Sequence, residues 1–453
     1  SVKKALTEFG YLLAVKIGDT DRKNILDHLG QAASDYRQHI YQNGFEGTKE
    51  EISITELKSF TDVCLGFTEH SIRANQRPDK LYHAYNLMTV TDSGVSVSHL
   101  WEMLEGQVAV LSSGYLTSEQ ALEVLDALKN SALFRPDQYS YILYPNKELP
   151  GFLEKNIIPA GSLQKSELLG KMVADGNKAI VDQDIRGGLH FNGNFKNARD
   201  LEDALNKLSG SPYHELVERE RKLVLEIFEE VFNHKAFTGR SGTFYSYEGL
   251  GSIYWHMVSK LHLAVQECCL KAIGEGVDKK ITGRLLYHYY EIEAGIGVHK
   301  SPELFGAFPT DPYSHTPMHR GAQQPGMTGQ VKEDIIARFG GLGVFVNKGE
   351  LSFNPVLLRK KEFAEQGELI EYQKIPGRLG QIKLLKGQLA FTFCQIPVAY
   401  TLSEIESIIV YYTNGDKEEI SGKILNKEIS SEIFKRNGII EKIEVSVNQN
   451  SLR

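Results

Sequence analysis

The densest group of side chains that could do chemistry lies between residues 305 and 333. Prolines and glycines hold this segment in non-helical geometry, so its polar groups can be positioned before a ligand arrives. Amides, imidazoles and a guanidinium supply directed hydrogen-bond donors, which suits recognition of a hydroxyl-rich ligand. The alternative is a loop that seals two parts of the chain against each other. The candidate binding residues are His315, His319, Arg320, Gln323 and Gln324, and the candidate catalytic carboxylates are Asp311 and Glu333.

A second candidate lies between residues 237 and 257, where a glycine-rich turn leads into an aromatic helix. Aromatic side chains such as Tyr245 and Trp255 can stack on the apolar face of a sugar ring, and His256 follows directly. Arg240 and Glu248 lie among the glycines, where they can bind ligand hydroxyls or act on them. The alternative is that the aromatic residues of this helix fill the core.

A third candidate is the pair Glu291 and Glu293, which precedes a glycine pattern that ends a helix. Such an ending leaves one carboxylate free to enter a cleft, and Glu291 is the catalytic candidate. The alternative is that both are solvated surface charges. Asp182 and Asp184, on a predicted hairpin, form a reserve pair.

No metal or cofactor is predicted. His315 and His319 have the spacing of helical metal ligands, but Pro317 lies between them and forbids a regular helix. The sequence contains no His-Glu-x-x-His pattern and no Gly-x-Ser-x-Gly nucleophile elbow.

The secondary-structure elements that position these side chains can be predicted from two patterns of hydrophobic residues. Up to about residue 340 apolar residues recur at helical spacing, interrupted by a predicted hairpin at residues 179–191. After residue 340 the pattern changes to short alternating runs, which predict strands. The sequence therefore predicts a mainly α fold, with a helical domain at residues 1–340 and a C-terminal antiparallel β-sandwich at residues 341–453.

Composition limits the possible partners. The 453 residues carry a net charge of -7, and this acidic balance argues against nucleic acid as the main partner. No run of about 18 apolar residues occurs, so no membrane span is predicted. Cys268 and Cys269 are adjacent and the other two cysteines are distant, which favours unpaired thiols. We expect a cytoplasmic or periplasmic location, with the thiols favouring the former, and we expect a chain that opens on Ser1 to be a fragment or a processed product.

From about residue 195 to the end, the order of elements resembles the (α/α)6-barrel carbohydrate-active enzymes, also called six-hairpin glycosidases. The likeness is greatest to inverting glycoside phosphorylases of the cellobiose phosphorylase type and their large glycosidase relatives. It is carried by residues 239–245 with Ser252 and Trp255, and by residues 323–333 with Thr328 and Gly329. The resemblance implies that the helices form an (α/α)6-type toroid. The family's general-acid motif has no match here, and neither does its large N-terminal sandwich.

In those phosphorylases a carboxylic acid protonates the glycosidic oxygen and phosphate replaces the attacking water. The resemblance implies that phosphate would be held by Arg320, His319, Gln324, Thr328 and Gly329. Inorganic phosphate is therefore an alternative partner besides an oligosaccharide.

These patterns place inverting hydrolysis of a glycosidic bond in an oligosaccharide first. Inverting hydrolysis needs two carboxyl groups about 6.5–9.5 Å apart, and Glu248 and Asp311 come first as acid and base. Inverting phosphorolysis of a glucoside is one alternative, and a non-catalytic sugar-binding or scaffolding part of a larger protein is another. All three interpretations predict that the Arg240 turn and residues 315–330 line one sugar-sized cavity.

Overall fold

The structure is a computed structural model that describes residues 2–45, 47, 49, 51–145, 151–233, 253–296, 299–305, 315–316, 331–375 and 377–453. The described helices are α1 (Val2–Glu8), α2 (Asp19–Asn43), α3 (Ile54–Ala74), α4 (Leu104–Leu111), α5 (Ser118–Lys129), α6 (Phe152–Lys155), α7 (Ala160–Leu163), α8 (Glu167–Ala174), α9 (Ala198–Leu208), α10 (His214–Phe232), α11 (Trp255–Gly274), α12 (Lys279–Ala294), α13 (Pro302–Phe305), α14 (Val331–Leu342) and α15 (Lys427–Lys435). These elements are compatible with the predicted mainly α class.

The described strands are short, and all of those before residue 385 form two-stranded pairs. They are β1 (Leu87–Val90), β2 (Val95–Ser98), β3 (Phe134–Arg135), β4 (Ser140–Tyr141), β5 (Val181–Gln183), β6 (Leu189–Phe191), β7 (Ile253–Tyr254), β8 (His315–Thr316), β9 (Val344–Asn347), β10 (Glu350–Phe353), β11 (Glu368–Gln373), β12 (Leu379–Leu384), β13 (Gln388–Phe393), β14 (Ile396–Ser403), β15 (Ser407–Tyr412), β16 (Lys417–Ser421) and β17 (Ile440–Asn448).

The chain divides into two compact units. Unit 1 combines residues 1–142 with residues 253–453, and unit 2 consists of residues 143–252. Unit 2 is therefore inserted in the sequence of unit 1. The domain boundary predicted at residue 340 lies near the end of α14 and stays a prediction.

Local sequence signals account for several helix starts. The sequence Thr117-Ser118-Glu119-Gln120 predicts a capping box at the start of α5. The structure confirms it, because the Thr117 side chain accepts from the backbone N–H of Gln120 and the Gln120 side chain accepts from the backbone N–H of Thr117. The sequence also predicts a helix over residues 197–208, and Asn197 is the N-cap of α9, where its side chain accepts from the backbone N–H groups of Arg199 and Asp200. Asp21 is a helix-start signal in the sequence, and it lies in the first turn of α2, which begins at Asp19.

Unit 2 is built around its own hydrophobic core. β5 and β6 form the hairpin predicted for residues 179–191. Helices α8, α9 and α10 contribute side chains such as Leu168, Leu205 and Phe228 to the same buried cluster. Since every side chain of that cluster lies between residues 158 and 232, unit 2 has a hydrophobic core of its own, as a compact domain needs.

A five-stranded sheet follows residue 385, with strand order β13-β14-β17-β15-β16. The sequence predicts antiparallel strands, but the β14–β17 pair is parallel, beginning at Val398 beside Ile443. The apolar side chains of this sheet pack with β9, β10 and α15 in one buried cluster that includes Phe353, Tyr400 and Ile433.

Helices α11, α12 and α14 are tied together by one buried glutamine. Gln266 on α11 donates to the carbonyl of Ala337 on α14 at 2.7 Å and to the hydroxyl of Tyr289 on α12 at 3.1 Å. A Cβ at Gly340 would lie 2.0 Å from the Gln266 side-chain oxygen, so glycine permits the close approach of α11 and α14. This contact sets the position of α14, which carries Glu333.

The four cysteines are all free, as predicted. None of the helices in the described part of the chain has the length and apolar character required to cross a membrane.

Candidate functional site

A short antiparallel pair joins two of the segments that the sequence singles out. β7 immediately precedes the aromatic helix α11, and its Tyr254 is the backbone partner of His315 on β8. Backbone pairing therefore brings residues 315–316 to the start of α11, close in sequence to the predicted ligand-binding turn.

Glu333 lies in the first turn of α14 and is 5% exposed. Its Oε1 lies 3.3 Å from Nε2 of His256 and 3.7 Å from Nζ of Lys332. Its Oε2 is buried and has no hydrogen-bond partner among the residues that the structure describes. Since a buried carboxylate oxygen is costly to leave unpaired, this atom is available to a ligand hydroxyl or to a protonated group.

His256 connects Glu333 to a phenol. Its Nδ1 lies 3.3 Å from the hydroxyl oxygen of Tyr254, and the two rings meet edge to face at 5.7 Å between centroids. One tautomer satisfies both contacts, with the Tyr254 O–H donating to Nδ1 and Nε2–H donating to Glu333. We call Tyr254, His256 and Glu333 the Glu333 site. A phenol, an imidazole and a carboxyl in series can hold a proton and move it.

Trp255, predicted to stack on a sugar, is 1% exposed. The Nζ of Lys300 lies 4.7 Å from the centroid of its ring, which is a cation–π contact. One face of the indole therefore contacts an ammonium group, and the role of Trp255 as a sugar platform stays a prediction.

The environment of Lys300 predicts a pH dependence of stability. Burial, with a further contribution from Arg135, lowers the pKa of Lys300 to about 7. Between that value and the ordinary lysine pKa, the unfolded chain binds more protons at this residue than the folded chain does. The contribution of Lys300 to the free energy of unfolding should therefore rise as pH rises above about 7. Urea unfolding midpoints at successive pH values should show a shallower rise for Lys300→Met than for the natural protein, and equal slopes would contradict this.

Glu291 forms an ion pair that joins α5 to α12. Its Oε1 lies 2.6 Å from Nζ of Lys129, and its side chain is 8% exposed. The same ammonium lies 3.6 Å from the centroid of the Phe134 ring. Oε2 of Glu291 is buried, without a hydrogen-bond partner among the described residues. The geometry gives Glu291 a stabilising contact, and its assignment as a catalytic carboxylate stays a prediction.

Glu291→Gln is expected to lower the free energy of unfolding by about 3 kcal/mol, because the Lys129 ammonium loses its carboxylate. Denaturant unfolding measures this change. In a double-mutant cycle with Lys129→Met, the two single effects should sum to more than the effect of the double variant. Strict additivity would show that the ion pair contributes nothing.

The reserve pair on the hairpin of unit 2 does not have the environment of a general acid. His190 lies 3.0 Å from Asp184, and this contact with backbone N–H donors from Gly188 and Arg186 holds the pKa of Asp184 below its usual range. Lys178 similarly lowers the pKa of Asp182. A general acid at neutral pH needs a raised pKa, so neither carboxyl suits that role.

Other predicted site residues cannot be placed. For His315 only the backbone is described. Within the described residues, no group of three or more His, Cys, Asp or Glu side chains is arranged to hold a metal ion. The candidates that lie outside the described residues are Glu248, Asp311, Arg240, Tyr245, His319, Arg320, Gln323, Gln324, Thr328 and Gly329.

Tyr254 of the Glu333 site and Lys300, which contacts Trp255, were not among the candidate site residues from the sequence. Tyr254 was expected to fill the core, yet it is only partly buried and its hydroxyl contacts His256. Lys300 carries no sequence signal for burial, because a lone lysine is ordinarily a surface residue.

Comparison with known proteins adds one finding about unit 2. Residues 149–235 match the family model described as GH149 phosphorylase insertion domain 2. The matched residues lie inside residues 143–252, the segment that folds as unit 2. No curated protein matches the chain. The family match therefore supports a relationship between this chain and the glycoside phosphorylases.

Proposed function

We propose that the chain is, or is part of, a carbohydrate-active enzyme that cleaves a glycosidic bond in an oligosaccharide with inorganic phosphate as the acceptor. The observation that carries the proposal is that the residues matching a phosphorylase insertion domain, 149–235, coincide with a compact unit inserted in unit 1. Because the matched model describes a domain of phosphorylases, we propose phosphorolysis ahead of the hydrolysis that the sequence patterns place first.

The proposed chemistry needs one protonated carboxyl group. That group donates its proton to the glycosidic oxygen while a phosphate oxygen attacks the anomeric carbon from the opposite face, which yields a sugar 1-phosphate and a shortened chain. Among the described carboxyl groups, we propose Glu333 as this proton donor. Its side chain is buried, and its Oε1 contacts His256, which in turn contacts Tyr254. Glu248 and Asp311 remain proposals for the acid and base of the hydrolytic alternative.

The architectural predictions enter here as proposals. We propose that the helices up to residue 340 belong to an (α/α)6-type toroid, a proposal supported by the packing of α11 against α4, α12 and α14. We also propose that the strands after residue 341 belong to a β-sandwich, supported by the five-stranded sheet and the hairpins that precede it.

The proposed function is tested by the dependence of turnover on phosphate. The full chain would be incubated with short glucose oligosaccharides of different linkage, with and without inorganic phosphate. We expect sugar 1-phosphate to form only with phosphate, and total cleavage to rise at least about tenfold on its addition. Release of free reducing sugar at the same rate in both conditions would replace the proposal with hydrolysis. Glycan binding without cleavage in either condition would favour the non-catalytic alternative.

A further inference from the structure

A cavity of about 170 Å³ lies between helix α11 and the link of residues 112–117 that joins α4 to α5. Leu111, Leu116 and Ala121 line it with buried apolar side chains. Cys268 also lines it, and burial raises the pKa of this thiol to about 12. The thiol is therefore neutral at physiological pH and packs as a small apolar group. These four residues give the cavity apolar walls.

Two charged side chains of α11 connect that helix to the link and line the same cavity. Glu267 and Lys271 are one helical turn apart, and each reaches across to the link. Glu267 Oε2 accepts from the Ser112 hydroxyl at 2.7 Å. Lys271 Nζ donates to the carbonyls of Gly114 and Leu116 at 3.1 and 2.8 Å. Because the lining contains one carboxylate and one ammonium group, it offers no net charge to a ligand.

The lining also contains one hydroxyl without a partner. Ser118, in the first turn of α5, lines the cavity and is 3% exposed. Its Oγ is buried and has no hydrogen-bond partner among the residues that the structure describes. The hydroxyl oxygen of the neighbouring Thr117 does have one, because it accepts from the backbone N–H of Gln120. A buried hydroxyl is costly to leave unpaired, so a ligand that pairs with Ser118 gains a hydrogen bond that the protein alone does not make.

We infer that this cavity, which we call the Ser118 cavity, binds a small neutral ligand that has an apolar body and one hydroxyl group. An apolar cavity of about 150 Å³ binds benzene, so the Ser118 cavity has room for one six-membered ring. The apolar walls favour an apolar body, the balanced charges favour a neutral molecule, and Ser118 supplies one hydrogen bond. Phenol combines these properties. A monosaccharide does not, because most of its hydroxyl groups would face apolar walls without partners.

The test is binding of phenol to the full chain, measured by saturation-transfer NMR titration at neutral pH, where phenol is uncharged. Benzene, which lacks the hydroxyl group, and glucose, which lacks the apolar body, are titrated in the same way. Ser118→Ala should weaken phenol binding about threefold and leave benzene binding unchanged, because only phenol loses a hydrogen bond. Glucose should bind at least about tenfold more weakly than phenol.

Ser113→Ala is the matched control. Ser113 carries a hydroxyl in the same link, but it does not line the cavity, and its Oγ donates to the carbonyl of Val110 at 2.7 Å. This control should bind phenol and benzene as the natural protein does.

A second variant tests the cavity itself. Ala121→Met should weaken the binding of both phenol and benzene at least about tenfold, because its added atoms occupy the space. If circular dichroism shows that this variant does not fold, Ala121→Val replaces it with the same expectation.

Urea unfolding without ligand separates a binding role of Ser118 from a structural one. Ser118→Ala should lose no stability, because the hydroxyl that it removes has no partner in the protein. A loss of stability would overturn the inference. So would equal losses of phenol and benzene affinity in Ser118→Ala, an unchanged phenol affinity in either variant, or glucose binding as tight as that of phenol.

Discussion

Glu333→Gln is expected to lower the turnover of a cleaved oligosaccharide by at least about 100-fold, with a smaller change in KM. An amide has the shape of the carboxyl group but cannot give up or accept the proton that bond cleavage requires. The natural side chain is placed for that exchange by its burial and by the 3.3 Å contact of its Oε1 with His256 Nε2. Initial rates over a range of oligosaccharide concentrations, with saturating phosphate, measure both parameters.

Glu293→Gln is the matched control for this experiment. Glu293 is a partly buried carboxylate on α12 whose Oε2 pairs with Arg359 at 2.8 Å. We expect its removal to leave turnover within about twofold of the natural value, because the pair joins α12 to the residues after β10. Equal turnover in Glu333→Gln and Glu293→Gln would remove Glu333 from the catalytic assignment and leave Glu248, Asp311 and Glu291 as the candidates.

Gly343→Ala is expected to destabilise the protein by about 4 kcal/mol. Gly343 connects α14 to β9 with φ at +75°, where an L side chain costs about 1–2 kcal/mol. A Cβ there would lie 2.2 Å from the backbone carbonyl carbon of Asn354 and 2.3 Å from the nitrogen of Pro355. Because backbone atoms cannot rotate away, this overlap adds about 1–3 kcal/mol of packing strain. The shift of the urea unfolding midpoint, converted with the measured slope, gives the change.

Gly349→Ala separates the two contributions. Gly349 also has a positive φ, +85°, in the turn between β9 and β10, but a Cβ there meets no atom within 4 Å. We therefore expect a loss of only about 1 kcal/mol, from backbone strain alone. If both alanine variants lost the same stability, steric overlap at Gly343 would not be the cause.

Several elements could be predicted because their signals are local. The capping box at Thr117 and the hairpin of residues 181–191 depend on residues within about one turn or one hairpin of each other. The segments that form β9, β10, β11, β12, β13, β15 and β17 are short apolar or alternating runs, several of them bounded by glycine-containing turns, and such runs predict strands from the sequence alone.

Other elements were missed for identifiable reasons. β16 (Lys417–Ser421) pairs only with β15, so it is an edge strand that can carry charged residues and does not alternate clearly. β14 contains Pro397, which argues against a central strand, but its pairing with β17 begins only at Val398. Helix α15 lies within a region where the sequence predicts strands alone.

The sequence by itself determined the helix caps, the hairpin, the change from helical to alternating patterning near residue 340, and a pool of polar residues that includes Glu333 and His256. Only the tertiary structure decided that Glu333 contacts His256, that Lys300 is buried and donates to the backbone carbonyl of Gln138, and that residues 143–252 form a separate unit. The physical reason is the separation along the sequence between the residues that interact. Caps and periodicity act between near neighbours, whereas these two contacts join residues 77 and 162 positions apart, and the packing of the whole unit selects them.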